Sequence, residues 1–563
     1  MLKKIADFII VGAGSAGCVL ANRLSQNPSN QVVLIEAGRH GYNSLLDSWK
    51  MKMPAALTYN LQNDKYNWDY QSTPQSNLYN RQIKTPRGKM LGGSSSLNAM
   101  VYIRGHPLDY NRWEFEEGAK GWSYANCLPY FKKAQSHVLG ENTYRGGNGP
   151  LHVCRAEERN TEEQVLSDSF IQSGIEAGYD WTDDLNGCQQ EGFGKMDMTI
   201  YNGNRHSTYD AYLKPILEER DNLHVMTDTL VEKIWMSRET GGDKKAIGVQ
   251  IEQNGKRQLI ETESEIIISA GAINSPQLLL LSGIGYSHVG KIPCLLDLPV
   301  GQNLQDHLEI YIQMACKQSN TLLNWASWKK PHKRIGAGLQ WFYNQSGICA
   351  SNHFEAGGFI RSRAGIQHPN IQYHFLPGAV ECQETFKPIH AFQAHCGTMR
   401  PKSRGHIQLQ STNAYDPPKI EFNYLSEEED VEEFVEGIRL TQELFEQPSF
   451  RDYVDYPIFP CHKTTDDELR TLVRQQVESA YHPSSTCAMG KVVDESCRVY
   501  GTTNLRVVDA SVMPSLVSGN LNAPTIMIAE KIADDILGHV SCTPEEPEDP
   551  GFYVHPEWKT KQR

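Results

Sequence analysis

The sequence predicts an α/β chain: a doubly wound, largely parallel sheet interrupted by a second, α+β unit on an antiparallel sheet. Three observations predict it. The chain opens with a strand, a glycine turn, a helix and a second strand. A further continuous apolar strand over residues 265–269 runs into another helix. Between residues 309 and 450 the composition changes to alternating stretches, and buried-strand patterning returns after them. At 563 residues the chain is longer than one hydrophobic core serves, so two units are expected.

The opening is the most specific stretch. Residues 5–11 read as a buried strand. Gly12, Gly14 and Gly17 follow at G-x-G-x-x-G spacing, then a helix over residues 16–23, a strand over 32–35, and Glu36. This is the dinucleotide-binding order. Gly12 permits the tight turn, Gly14 lets backbone approach a pyrophosphate, and Gly17 lets the helix lie close. The helix N-terminus offers unpaired N–H groups to phosphates. Glu36 can accept from a ribose 2′-hydroxyl, and its charge disfavours a 2′-phosphate. The bland reading, a glycine turn in an ordinary sheet, fits fewer of these features.

Bulk properties narrow the classes. The net charge of −13 argues against nucleic acid and favours a cationic ligand. The 13 cysteines are scattered and odd in number, and the N-terminus does not resemble a signal peptide, so free thiols and a cytoplasmic location are expected. No run reaches the roughly 20 apolar residues of a spanning helix. Peripheral contact with the inner face of the cell membrane stays compatible with this.

Further along, residues 38–85 read as an irregular excursion rich in Trp and Tyr. Gly92 and Gly93, followed by Ser94, Ser95 and Ser96, suggest close backbone approach and a cap for a helix starting near Leu97. Helices are expected over 111–117, 124–134, 165–177 and 207–217. Strands are expected over 222–235, a hairpin-like pair over 246–251 and 257–261, and a separate strand over 265–269. Ser275 and Pro276 read as a helix start, and residues 301–307 as a polar turn. Residues 371–375 and 406–410 alternate as antiparallel strands. A helix over 426–445 carries an acidic first turn that suits its dipole, with Ser426 placed to cap it. Residues 505–508 are a strand ending at Asp509, and 525–537 a helix.

Two segments now point to one family. Gly271 to Gly285, with Asn274, Ser275 and Pro276, resembles one signature of the glucose–methanol–choline family of flavin oxidoreductases. Gly88 to Gly105, centred on Gly92 and Gly93, resembles the other. The resemblance implies an FAD-binding Rossmann-like domain split along the chain, roofed by a second α+β substrate domain with an antiparallel sheet. The corresponding split is 1–160, 201–315 and 475–540 for FAD, 161–200 and 316–474 for substrate, and 541–563 as a peripheral tail. Residues 102–105, 351–359 and 519–522 are similar to the choline-oxidising members. These convert choline to betaine aldehyde, with glycine betaine, an osmoprotectant, as a further product. The electron acceptor, oxygen or a respiratory quinone, stays open.

The resemblance also assigns residues. His482, before Pro483, would take the alcohol proton or hydrogen-bond the alkoxide. Asn520 would be its partner, with Asn522 as the alternative, and His395 would assist the alkoxide. Glu355, between Phe354 and small residues, would neutralise the trimethylammonium group. Trp68 and Tyr481 would be aromatic walls. Against these stand plainer roles: Glu355 could pair with Arg361 or Arg363, and Trp68 could be core. For FAD, Gly12, Gly14, Gly17 and Glu36 would hold the ADP half. Gly92, Gly93, Ser94 and Asn98 would contact the ring side, Val231 the adenine end, and Asp509 with Ala510 the pyrophosphate–ribityl stretch. Leu97 stands where some family members carry a flavin-linked histidine, so the FAD is expected to be noncovalent. No convergent metal ligands are visible. The competing classes are a family member acting on another primary alcohol, an NAD-dependent dehydrogenase, and a non-enzymatic flavin-binding protein.

Overall fold

A computed structural model describes residues 6–44, 47–61, 63–156, 163–237, 242–286, 289–290, 292–327, 329–380, 387–460, 464–545 and 551–563. Ile5 of the expected first strand and residues 546–550 of the tail lie outside the described residues.

Unbroken apolar runs build the parallel part of the first sheet. Ala6–Val11 pairs with Val32–Ile35 on one side and with the end of Lys256–Ile268 on the other. Leu223–Met226 extends it beyond Val32–Ile35, and Leu505–Val507 pairs in parallel with residues 266–268. Late residues thus complete a sheet begun by the first ones, as the returning pattern required. Gly12, Glu36, Ser269 and Asp509 all follow closely on the carboxyl ends of these strands. A doubly wound sheet places its ligand crevice there.

The second sheet runs antiparallel in the order Val454–Phe459, Leu308–Cys316, Ala391–Thr398, Ile371–Leu376, Ala356–Ile360, Gly192–Lys195. Its side chains alternate with period two. Ile310, Ile312, Phe375, Phe392 and Ala394 join the core that includes Phe434 and Ile438 of the helix Glu428–Phe445. Glu309, Tyr311, His374, Gln393 and His395 occupy the other face. One face therefore grips helices and the other roofs a cavity.

Several expectations need correcting. No helix starts near Leu97; Gly93–Ser96 is a single 3-10 turn, and its serines bond within the local backbone and to Thr208. The hairpin strand and the strand over 265–269 are one continuous strand, Lys256–Ile268, whose first half is antiparallel and whose second half is parallel. The helix Gly271–Leu281 begins before Ser275–Pro276, and the Ser275 hydroxyl donates to Asp509 at 2.5 Å. The polar turn over 301–307 contains a short strand, Gln302–Leu304. Ser426 does not cap its helix; its hydroxyl meets that of Ser403 instead. The tail is on the surface but anchored. Phe552 packs on His106 and Tyr124, the Gly365 amide donates to the Trp558 carbonyl, and Arg563 reaches Glu443.

Candidate active site

One cavity of about 1040 Å³ lies between the two sheets. Its nucleotide end is built by the fingerprint. A Cβ at Gly17 would lie 1.9 Å from the Gly12 carbonyl oxygen, so glycine is required there for the helix Ser15–Leu24 to close on the turn. Gly14 is different: a Cβ there would meet only Ser269, at 4.0 Å. That space opens into the cavity. No side chain caps the helix N-terminus, which leaves its N–H groups for an anion. The Ser269 hydroxyl is buried without a partner. Glu36 accepts from the Ala13 and Gly38 amides at 2.9 and 2.8 Å, and burial still pushes its carboxyl up to about 7. An open glycine, bare helix amides and an orphaned hydroxyl beside a buried acid fit the ADP half of a dinucleotide.

Gly93, Ser94, Asn98, Val231, Asp509 and Ala510 also line the cavity. Gly17 and Gly92 do not; Gly92 instead donates its amide to the Ala13 carbonyl at 2.8 Å, tying the second glycine stretch to the first. Asp509 accepts from Gly271, Ser275 and Ser511, so it knits two turns at the cavity edge.

At the far end, His482 and Asn520 meet. His307 Nε2 lies 3.0 Å from the Met399 carbonyl, which can only accept, so this nitrogen carries the proton. His307 Nδ1 is then an acceptor, and His482 Nδ1, 3.1 Å away, donates to it. His482 Nε2, unprotonated and facing the cavity, accepts from the Asn520 amide nitrogen at 3.3 Å. The His482 backbone amide donates to Asp306 at 2.7 Å, and Arg87 holds the Tyr481 carbonyl at 2.6 Å. Burial, then the neighbouring His307, Arg87 and His374, hold His482 well below the usual imidazole value. Burial likewise brings His307 down to about 4. Asp306 is pushed up to about 6 by burial, despite hydrogen bonds from Ser479 and Tyr424.

Across the cavity sits a carboxylate that the sequence reading passed over. Glu309 lines the cavity from the strand Leu308–Cys316, and Tyr311 follows it on the same face. Register sets Tyr311 opposite His395, and His395 opposite His374. Burial alone would raise Glu309, but His395, His374 and the Tyr311 hydroxyl hold it below its ordinary value. It is therefore ionised. His395 is committed on both sides. Gln313 and the Val380 amide donate to Gln393 Oε1, so Gln393 Nε2 donates to His395 Nε2 at 2.7 Å. His395 Nδ1 then donates to Glu309 at 3.2 Å. With both nitrogens engaged, His395 orients Glu309 rather than meeting a substrate oxygen. His374, brought down to about 4 by burial, is the roof histidine nearest Asn520 in the hydrogen-bond network, through Gln372.

Glu355 is not in the cavity lining. It precedes the strand Ala356–Ile360 and accepts from the Ser351 hydroxyl at 2.6 Å. The two suggested arginines have partners elsewhere: Arg361 binds Glu191 and Arg363 binds Glu436. Tyr481 and Trp68 do line the cavity, but Trp68 stacks on Tyr70 and Lys89 stands 4.4 Å over its ring. Asn522 lines the cavity and accepts from Ser15 at 2.7 Å, leaving Asn520 as the partner of His482. Glu309, His307 and Asp306 were legible only as a cluster: a histidine between two acids at the start of an alternating strand.

Comparison with known proteins agrees with this geometry. The GMC oxidoreductase N-terminal model matches residues 6–309 and the C-terminal model residues 401–529. A mouse mitochondrial choline dehydrogenase is 51% identical over 94% of this chain and 89% of its own length. An oxygen-dependent choline dehydrogenase of Photobacterium profundum is 46% identical, covering 99% and 97%. Among solved structures, pyridoxine 4-oxidase from Mesorbium loti superposes with a TM-score of 0.83 at 28% identity over 95% of this chain and 100% of that one. Formate oxidase superposes with a TM-score of 0.86 at 26% identity, covering 95% and 98%. The chain belongs to the GMC oxidoreductase family. It is an FAD-binding oxidoreductase acting on a CH–OH group, and the crevice at the strand ends has the features that the ADP half of FAD needs.

Proposed function

We propose that this chain oxidises choline to betaine aldehyde. The observation that carries the reading is the ionised Glu309 on the roof of the same cavity as the unprotonated His482 Nε2. A quaternary ammonium group donates no hydrogen bond, so its recognition rests on a carboxylate and aromatic faces. Such faces contribute about 2 kcal/mol each when desolvated. Tyr311 and Phe354 stand in the cavity wall beside His395. A neutral alcohol would leave Glu309 as a buried charge without a cation, which is costly.

Each residue then has one task. Glu309 holds the cation, and His395 with Gln393 holds Glu309. The Asn520 amide donates to the hydroxyl oxygen. His482 Nε2 takes the hydroxyl proton, because His307 Nδ1 keeps the proton that His482 already carries on its Nδ1. FAD held by the crevice at the strand ends would supply the hydride acceptor for the alcohol carbon. The imidazolium formed at His482 faces the developing alkoxide and stabilises it. The hydrate of betaine aldehyde offers the same cation and a hydroxyl, so the same residues serve a second oxidation to glycine betaine.

Leu97 is buried against Met51, Tyr66 and Met90 and offers no atom for a flavin link. FAD is therefore held noncovalently, and acid precipitation should release its colour. The domain division expected above is proposed with this reading, although the strand Leu308–Cys316, which it gives almost wholly to the FAD part, pairs within the antiparallel sheet. Anaerobic mixing with choline, followed through flavin absorbance, tests the whole. Rapid bleaching with choline and slow bleaching with its neutral isostere 3,3-dimethylbutanol is expected. Equal rates would sink the cation reading, and bleaching with neither would move the search to other alcohols.

A further inference from the structure

The helix Pro331–Asn344 leaves an apolar stripe in solvent. Ile335 is 54% exposed, Leu339 63%, Phe342 57% and Tyr343 91%. The spacing of these residues, i, i+4, i+7 and i+8, places them on one side of the helix. The opposite side is anchored. Ala337 and Trp341 are buried, and the Trp341 indole donates to the Gly203 carbonyl at 2.8 Å. The stripe thus stands off the body of the protein on a fixed base. Monomeric proteins rarely keep such a patch without a use.

Charge around the stripe is the second observation. The chain carries 67 acidic and 54 basic residues, yet residues 310–354 contain no Asp or Glu. In the same stretch stand Lys317, Lys329, Lys330, Lys333 and Arg334, four of them at the start of the exposed helix. An acid-free basic segment on a protein of charge −13 does not arise from average composition. The third observation is position. Phe342 and Tyr59 are both exposed and both line the cavity, so the helix borders its mouth.

We infer that this helix docks the protein on an anionic lipid bilayer. Its apolar stripe enters the headgroup–acyl boundary, its lysines meet lipid phosphates, and the cavity mouth faces the membrane. A helix of 14 residues lying flat covers roughly 21 Å, and a basic amphipathic helix is the element that binds this way. A second copy fits less well. A two-fold contact sets the same patch against itself, and here that opposes like charges. Among the described residues no helix is long and apolar enough to cross a membrane, so docking is from one side.

The test uses flavin-loaded protein and sedimentation with vesicles of phosphatidylcholine, alone or mixed with phosphatidylglycerol. The protein should pellet with the mixed vesicles only and be released by high salt. Ile335→Glu with Leu339→Glu should lower the pelleted fraction about tenfold while choline-driven bleaching in solution stays unchanged. Lys329→Gln with Lys333→Gln is a milder second variant, and it should weaken binding to the mixed vesicles alone. Protein that stays in the supernatant, or a double glutamate variant that pellets like the parent, overturns the inference. Equal binding to both vesicle types overturns its anionic part. A dimer in solution that the glutamate variant splits assigns the patch to a second copy. Bleaching and pelleting are read separately, so loss of the choline reading would leave this one standing, and the reverse.

Discussion

Two histidines line the cavity away from its nucleotide end, and they are prepared in opposite ways. His482 leans on a second imidazole, so it is held neutral, with its Nε2 accepting only from the Asn520 amide. His395 leans on a carboxylate and an amide, so both its nitrogens are spent and the carboxylate is held ionised. The side chain is the same. The partner decides whether it accepts a proton or fixes a charge.

The comparison breaks most visibly at His482. His482→Ala should cut the rate of anaerobic flavin reduction by choline about a thousandfold, as expected for loss of a general base, with FAD content kept. A rate within a few-fold of the parent would leave proton removal to another group. Glu309→Gln comes next. It should weaken choline binding, measured from the concentration dependence of bleaching, by about 30-fold or more. Binding of 3,3-dimethylbutanol should barely change. Glu355→Gln is the control that sharpens the contrast, with an expected change under about threefold. If the two glutamate variants behave alike, the cation is not at the roof carboxylate.

His307→Gln should slow flavin reduction about tenfold at unchanged choline affinity, because the His482 tautomer is no longer fixed. It also carries a pH signature. His307 helps to depress His482, so its removal should move the acid limb of the reduction rate to higher pH. In the parent protein that limb should lie well below 6.5, since a depressed imidazole protonates only when the pH falls that far. Glu309 is likewise held below its ordinary value, by His395 and His374. A parent limb centred on 6.5 would return His482 to an ordinary histidine. The smallest effect is expected for Trp68→Leu, about twofold on choline affinity, because Lys89 already stands over that ring.

The floor of the cavity was legible because its signals are local. Gly12 to Glu36 are near neighbours in the chain, and each glycine answers a contact within the same turn or at the adjoining strand end. Of the roof only His395 was named, through the family resemblance, because strand register assembles the rest. Glu309, His374 and His395 come from three strands, and only their pairing sets them side by side. The small residues after Glu355 have a packing reason of their own. A Cβ at Gly357 would meet Met196 at 1.9 Å and the Tyr373 carbonyl at 2.4 Å. Glycine is needed there to let neighbouring strands and side chains close together, not to border a ligand. His482 and Asn520 were found through the family signature; nothing in their own spacing announces that they touch.

The alternation of the roof strands has a further consequence. Within Ala391–Thr398, residues one apart face either the ligand or the aromatic core. A single-codon insertion upstream of Gln393 would carry His395 into the place of a core residue and bring Phe392 or Ala394 to the cavity. Diversification of this roof must therefore proceed by exchange of side chains at fixed length. New length enters at the strand ends, where the connecting loops absorb it without changing which residues face the bound alcohol.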